Sequence, residues 1–230
     1  MPPPARKTRR LLLFTKPARA GRVKTRLIGD LTPAEAAELH AAFLSDLLAR
    51  LAGGEFDLRL AWALDPGDEV PESPVPGVRQ RGEDLGERLF LALSEAGEEA
   101  ASVAALGSDH PTLPVEIVHR AFEALERGAE VVLGPAEDGG YYLIALRAGA
   151  VSRRLFEGIE WSTERVLPAT LDRCRELGLA LEMLPPASDV DTPEDLARLA
   201  ARMTRGDLGC PRTRTLLEAW GRIPDLEETT

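Results

Sequence analysis

The chain has 230 residues, 44% hydrophobic and 29% charged, with a formal net charge of -10. Such a composition describes an ordinary globular protein long enough for one full core, and its acidic balance argues against nucleic acid as the main partner. No apolar run approaches the ~20 residues of a transmembrane helix, so no membrane span is expected.

In chain order, the start "MPPPARKTRRLLLF" is basic and then apolar, but the apolar run stops at Lys16, short of the roughly 7–15 residues of a signal-peptide core. Residues 1–10 therefore read as a flexible basic tail, with Arg6 to Arg10 solvated. Leu11–Thr15 is a short apolar run suited to a strand buried on both faces. Thr32, Pro33 and Glu35 predict a helix N-terminus with a capping box, ended by Gly53 and Gly54. Phe56–Leu64 alternates as a strand does, and "DPGDEVPESPVPG" reads as a turn-rich loop. A helix in "EDLGERLFLALSEAG", a buried strand at Ser102–Gly107 and a helix ending at Gly128 follow. "EVVLGP" and "YYLIAL" predict strands on either side of Asp138-Gly139-Gly140. A helix is expected over "STERVLPATLDRCRELG", a strand over "LALEML", a helix from Pro193 and a short outer helix past Gly206. Alternating strands and helices imply an α/β protein with a mainly parallel sheet covered on both faces. The expected organisation is a tail over 1–10, a domain over 11–205 and a helical extension over 206–230.

Two cysteines, Cys174 and Cys210, lack metal-ligand spacing and fit a reduced, cytoplasmic setting. The chain has no Asn and a single Gln, Gln80, which points to a thermophilic source.

In parallel sheets ligands bind beyond the carboxyl ends of the strands, so the loops after strands carry the candidate chemistry. "TKPARAGRVKTRL" offers Gly21, Lys24 and Arg26, and Met1 to Gly29 contains no acid. Small residues let backbone amides approach a ligand and the cations neutralise phosphate oxygens. The loop is neither a Walker A motif nor a dinucleotide fingerprint. Asp109 follows a buried strand within "GSDHP", where a turn or cap is the plain structural alternative. Ser108-Asp109-His110 is no hydrolase triad, because triad members come from separate loops. "AEDGG" is a good hairpin turn or else a glycine-lined floor beneath a substrate, with Tyr141 beside it. Asp189 and Asp191 precede a helix that Thr192, Pro193 and Asp195 already cap. Two further carboxylates there would repel each other unless a cation sat among them. Mg²⁺, which takes one or two carboxylates with waters and phosphates, would balance them, with Asp109 as the partner from a neighbouring strand end.

The series "KPARAGRVKTRL", "DLGERL", "LGSDHPTLP", "GPAEDGGYYLIAL", "WST" and "DVDTPEDL" resembles a bacterial family of GT-A-fold transferases, described as glycosyltransferase-like or nucleotide-diphospho-sugar transferase-like. More distantly it is similar to the guanylyltransferases of molybdenum-cofactor and phospholactate pathways. The resemblance runs from about Leu11 to Met203. It implies a Rossmann-like GT-A domain that binds a nucleotide with Mg²⁺ or Mn²⁺. Lys16, Gly21, Lys24 and Arg26 would meet nucleotide or phosphates, and Asp109 and Asp191 would hold the metal. Asp138, Gly139 and Gly140 would form the substrate-side loop. "Gly-Ser-Asp" departs from the two-acid D-x-D pattern.

Three functions follow as expectations. The first is a metal-dependent transferase using a nucleotide-sugar donor, with Asp138 or Asp189 as the base that activates an acceptor hydroxyl. The second is nucleotidyl transfer from a nucleoside triphosphate to a phosphate monoester, which needs alignment and charge neutralisation but no protein nucleophile. The third is a non-catalytic nucleotide-binding protein, against which the retention of both Asp109 and Asp191 counts. The expected partners are a nucleotide or nucleotide-sugar and a small-molecule acceptor, with a homo-oligomer allowed. The family resemblance favours the first reading.

Overall fold

The computed structural model describes residues 8–223. Arg6 and Lys7 of the expected tail lie outside them. The described residues divide into two compact units, with residues 8–15, 54–107 and 115–187 in the first and 16–53, 108–114 and 188–223 in the second.

The first unit is a Rossmann-like α/β sheet. Its strands are β1 (Arg9–Thr15), β2 (Asp57–Trp62), β3 (Gly77–Arg79), β4 (Ser102–Gly107), β5 (Val131–Pro135), β6 (Tyr141–Arg147) and β7 (Leu181–Met183). The order across the sheet is β3-β2-β1-β4-β6-β5-β7. All neighbours are parallel except β6, which runs antiparallel to β4 and β5. The reason is local: only residues 136–140 join β5 to β6, and a connection that short can return the chain antiparallel but cannot cross over. Alternate residues face opposite ways in a strand. Leu12, Val103, Ala105, Leu133, Ile144 and Leu146 meet Leu89 and Leu93 of helix α2 (Leu85–Glu99) and Cys174 of helix α4 (Val166–Glu176) in one core. The other face is covered by helix α3 (Val115–Arg127), whose Phe122 is fully buried with the Arg9 guanidinium over its ring.

Three sequence expectations change here. Arg9 and Arg10 are not a solvated tail: both belong to β1, with Arg9 paired to Glu126 at 2.8 Å and Arg10 to Asp57 and Glu99, each at 2.8 Å. Strand β3 emerges at the end of the turn-rich loop, where three residues add to the sheet edge. Helix α4 begins at Val166 and not at the Ser-Thr pair, because Ser162 takes a left-handed φ of 64°. Pro168 then falls in the first turn, where its missing N–H has no intrahelical partner to lose.

The second unit holds helices α1 (Pro33–Leu51), α5 (Pro193–Met203) and α6 (Pro211–Ala219) around Leu27, Leu39, Phe43, Leu196, Leu199, Met203 and Leu217. Both expected capping boxes form, Thr32 with Glu35 and Thr192 with Asp195. Helix α6 is built into this core, with Thr213 and Leu217 fully buried. Its N-terminus is held by Asp46 of α1, whose carboxylate is 2% exposed and accepts from Arg212 N at 3.0 Å, Thr213 N at 2.8 Å and Thr213 Oγ1 at 2.7 Å. An anion there also meets the positive end of the helix dipole. Asp46→Ala should therefore lower stability by about 3 kcal/mol, since it strands three donors that water reaches poorly. Urea unfolding followed by circular dichroism measures this, and a loss under about 1 kcal/mol would show that the cap matters little.

Candidate functional site

The loop after β1 enters the second unit at Lys16. Two residues of α1 fix its course. His40 is buried and places Nε2 3.0 Å from the Lys16 carbonyl, and Phe43 lies under Lys24, whose Nζ is 5.4 Å from the ring centroid. Gly21 turns the loop with φ 73°, and nothing lies within 4 Å of the place a Cβ would occupy. The backbone at Gly21 is thus open to a ligand. Lys24 itself adopts φ 47°, a left-handed conformation costing an ordinary residue roughly 1–2 kcal/mol. That conformation goes with a buried ammonium: the Lys24 side chain is only 2% exposed.

The Lys24 ammonium donates to Asp109 Oδ1, to Asp191 Oδ1 at 2.8 Å and to the Val190 carbonyl at 2.8 Å. The two aspartate loops are tied together independently. Val190 N donates to the Asp109 carbonyl at 3.1 Å, and His110 Nδ1 lies 3.0 Å from the Ser188 carbonyl. Burial alone would lower the pKa of Lys24, but the two carboxylates outweigh it and the pKa is raised. Burial would likewise raise Asp109, yet the ammonium beside it holds its carboxyl below the usual range. Burial pushes both His40 and His110 down, which favours neutral imidazoles. Arg26 stays mostly exposed, its guanidinium 3.9 Å from Asp191 Oδ2.

This geometry explains the surplus aspartates before α5. Asp195 makes the capping box, receiving the Thr192 amide at 2.7 Å and hydroxyl at 2.8 Å, and the Asp191 amide at 3.1 Å. The Asp191 carboxylate is therefore spare to the helix and goes to Lys24. Asp189 sits half-buried two residues earlier. Sequence reasoning asked for a cation between the carboxylates, and in this structure the cation is an ammonium of the chain itself. Lys24, expected to await phosphate, is engaged by the two residues expected to hold metal. His40 was not anticipated. Its signal was a histidine on the apolar stripe of α1, among Ala36, Leu39 and Phe43.

The remaining expected residues lie in the first unit. Asp138 Oδ1 accepts from Gly140 N at 2.9 Å, and Ala136 N donates to the Gly140 carbonyl at 3.0 Å, closing the turn between β5 and β6. The Gly139 carbonyl receives the Leu167 amide at 2.9 Å, so the turn is fastened to the start of α4. Tyr141 meets Trp161 edge to face at 6.4 Å between centroids. A Cβ on Gly86 would fall 2.4 Å from Trp161 Nε1. The stretches "DLGERL", "EDGGYY" and "WST" therefore form one packed cluster.

Asp109 and Asp191 bring hard oxygens from two loops to a single cation. That donor set fits Mg²⁺ or Mn²⁺ when waters and phosphates complete the shell. Among the described residues no group of three His, Cys, Asp or Glu is arranged to hold a metal unaided.

The family model described as "uncharacterized protein conserved in bacteria (DUF2064)" matches residues 47–163. A curated relative, the 3-phospho-D-glycerate guanylyltransferase of Phenylobacterium zucineum (strain HLK1), is 32% identical over 195 residues, covering 81% of this chain and 86% of that protein. The chain belongs to the DUF2064 family. Within this family setting, a solved structure from Desulfovibrio desulfuricans G20, provisionally described as a nucleotide-diphospho-sugar transferase, is 31% identical with a TM-score of 0.82. It covers 92% of this chain and 97% of its own. A cytidylyltransferase from Leptospira borgpetersenii serovar Hardjo-bovis (strain JB197) is 14% identical with a TM-score of 0.57, each chain covered to 94%, a likeness of fold alone. These relatives place the chain among nucleotide-dependent transferases with the expected α/β architecture. Among the described residues no helix is long and apolar enough to cross a membrane.

Proposed function

We propose that this DUF2064 member is a nucleotidyltransferase, joining the nucleoside monophosphate part of a triphosphate to a small phosphate monoester and releasing pyrophosphate. This is the second of the chemistries read from the sequence. The similarity to a 3-phospho-D-glycerate guanylyltransferase supports it over glycosyl transfer and makes GTP and 3-phospho-D-glycerate the first substrates to test.

The observation that carries the reading is the cluster of Lys24, Asp109 and Asp191, whose lysine stands on the same loop that Gly21 turns. The monoester oxygen forms a bond to the α-phosphorus, the bond from that phosphorus to the bridging oxygen breaks, and pyrophosphate leaves with the electron pair. A phosphate oxygen arrives already ionised, so no protein base is required and neither Asp138 nor Asp189 needs to remove a proton. The chain must instead align three anionic groups and spread their charge. Lys16, Lys24 and Arg26 supply cations to the phosphates, with Gly21 offering its amide. Asp109 and Asp191 would hold a divalent ion such as Mg²⁺ or Mn²⁺, which would supply neutralisation of the charge that develops on the leaving pyrophosphate. A reduced cytoplasmic setting suits both buried, unpaired cysteines and the nucleotide supply.

The test is a panel of nucleoside triphosphates and nucleotide sugars, assayed for pyrophosphate and for nucleoside diphosphate. We expect pyrophosphate release that depends on an added phosphate monoester, strongest with GTP. The described likeness of the 31% identical structure favours glycosyl transfer as the second reading. Diphosphate release from a nucleotide sugar, without pyrophosphate from any triphosphate, would establish that one instead.

A further inference from the structure

We propose that Lys24 is an internal stand-in for the metal. Its ammonium holds Asp109 and Asp191 together and must withdraw before a divalent ion enters, so the protein takes its metal with the nucleotide and not ahead of it. The inference rests on the metal-site reading above and extends it to the order of binding.

The ammonium bonds one oxygen of each carboxylate and a carbonyl that lies between them in sequence, Val190. With all three ammonium hydrogens used, the group is fully satisfied. A divalent ion seeking the same two Oδ1 atoms would meet a like charge at bonding distance. The Lys24 side chain is almost wholly buried, so if free metal displaced it, the ammonium would lose both counter-ions and have little water to replace them. A metal-bound triphosphate removes that obstacle. Its phosphate oxygens take the ammonium while its metal takes the carboxylates, so every charge exchanges one partner for another. The left-handed backbone at Lys24 fixes where the side chain starts, and its Nζ lies 5.4 Å from the Phe43 ring centroid, so the exchange moves the ammonium from the two carboxylates and this ring toward the phosphates.

The proposal predicts that free metal binds poorly to the native chain and that removing the ammonium opens the site. Mn²⁺ binding without nucleotide, followed by electron paramagnetic resonance, should be at least about tenfold tighter in Lys24→Met than in the native protein, because the variant leaves two carboxylates without a cation. The melting temperature of Lys24→Met should also rise more steeply with Mn²⁺ than that of the native protein. Equal or weaker Mn²⁺ binding by the variant would overturn the exchange. Should Lys24→Met fail to fold, the native chain gives a separate reading. It has three lysines, Lys7, Lys16 and Lys24, so acetic anhydride labelling is readily mapped by mass spectrometry. Lys24 should react at least about tenfold more slowly than exposed Lys16 and lose much of that protection in Asp109→Asn/Asp191→Asn, since the two carboxylates hold the buried ammonium in place and charged. Equal labelling of Lys16 and Lys24 in the native protein would overturn the proposal. The two readings separate cleanly. Tightened Mn²⁺ binding with no nucleotidyl transfer rejects the substrate assignment and keeps the exchange, and transfer activity with no tightening does the reverse.

Discussion

Asp191→Asn should lower kcat/KM for nucleotidyl transfer by about 10²–10³-fold, because one of two carboxylates that fix the charge-neutralising cation is lost where charge develops. Asp109→Asn should do the same. Both substitutions keep the side-chain shape, and Val190 N still donates to the Asp109 carbonyl, so the two loops stay joined. Circular dichroism should therefore change little. The two residues act as a unit on one cation, so the double variant should cost scarcely more than either single one. Asp138→Asn provides the contrast. Its carboxylate closes a turn through Gly140 N, an acceptor role that the asparagine carbonyl keeps, and a phosphate nucleophile has no proton for it to remove. Its activity should stay within about threefold of native, since a positioned general base is worth roughly 10²-fold or more. Steady-state pyrophosphate release measures all four. Retention of more than a third of the activity by Asp191→Asn would detach this residue from the chemistry. A large loss in Asp138→Asn would restore a general base and with it an acceptor hydroxyl.

The elements legible from sequence are those with local causes. Thr32 with Glu35 and Thr192 with Asp195 form their capping boxes because every partner lies within three residues. The Asp138-Gly139-Gly140 turn forms for the same reason. Where a distant contact decides, local signals mislead. Ser162 looks like a helix cap, but Trp161 packs against Gly86 and the helix waits until Val166. Arg9 and Arg10 look like a tail until Glu126, Asp57 and Glu99 pair with them. The site divides in the same way. That Asp191 is surplus to its helix can be read from Thr192 and Asp195 alone. That its cation is Lys24 cannot, because the partners are 167 residues apart and either an ion or a side chain would satisfy the same charge argument. Choosing GTP and a phosphate monoester needed the relative, since no residue type in these loops encodes a base or an acceptor.

Gly139→Ala should destabilise the first unit by about 2–5 kcal/mol, the sum of a left-handed backbone, roughly 1–2 kcal/mol, and overpacking, typically 1–3 kcal/mol. Its φ is 88°, and an added Cβ would fall 2.5 Å from the Glu164 carbonyl oxygen, 2.6 Å from its Cα and 2.9 Å from its carbonyl carbon. These are backbone atoms and cannot rotate aside. They belong to the segment leading into α4, which Gly139 itself anchors through the Leu167 amide, so relief requires breaking that hydrogen bond or moving the helix start. Gly67 supplies the control within the same unit. It has the same φ of 88°, but nothing lies within 4 Å of its Cβ position. Gly67→Ala should therefore cost only the conformational part, about 1–2 kcal/mol. Urea midpoints at matched slopes give the two values directly. A difference of about 2 kcal/mol assigns the glycine in "EDGGYY" to close packing against Glu164. Equal losses would mean that the backbone angle alone accounts for it, and that the turn can part from α4 without consequence for stability.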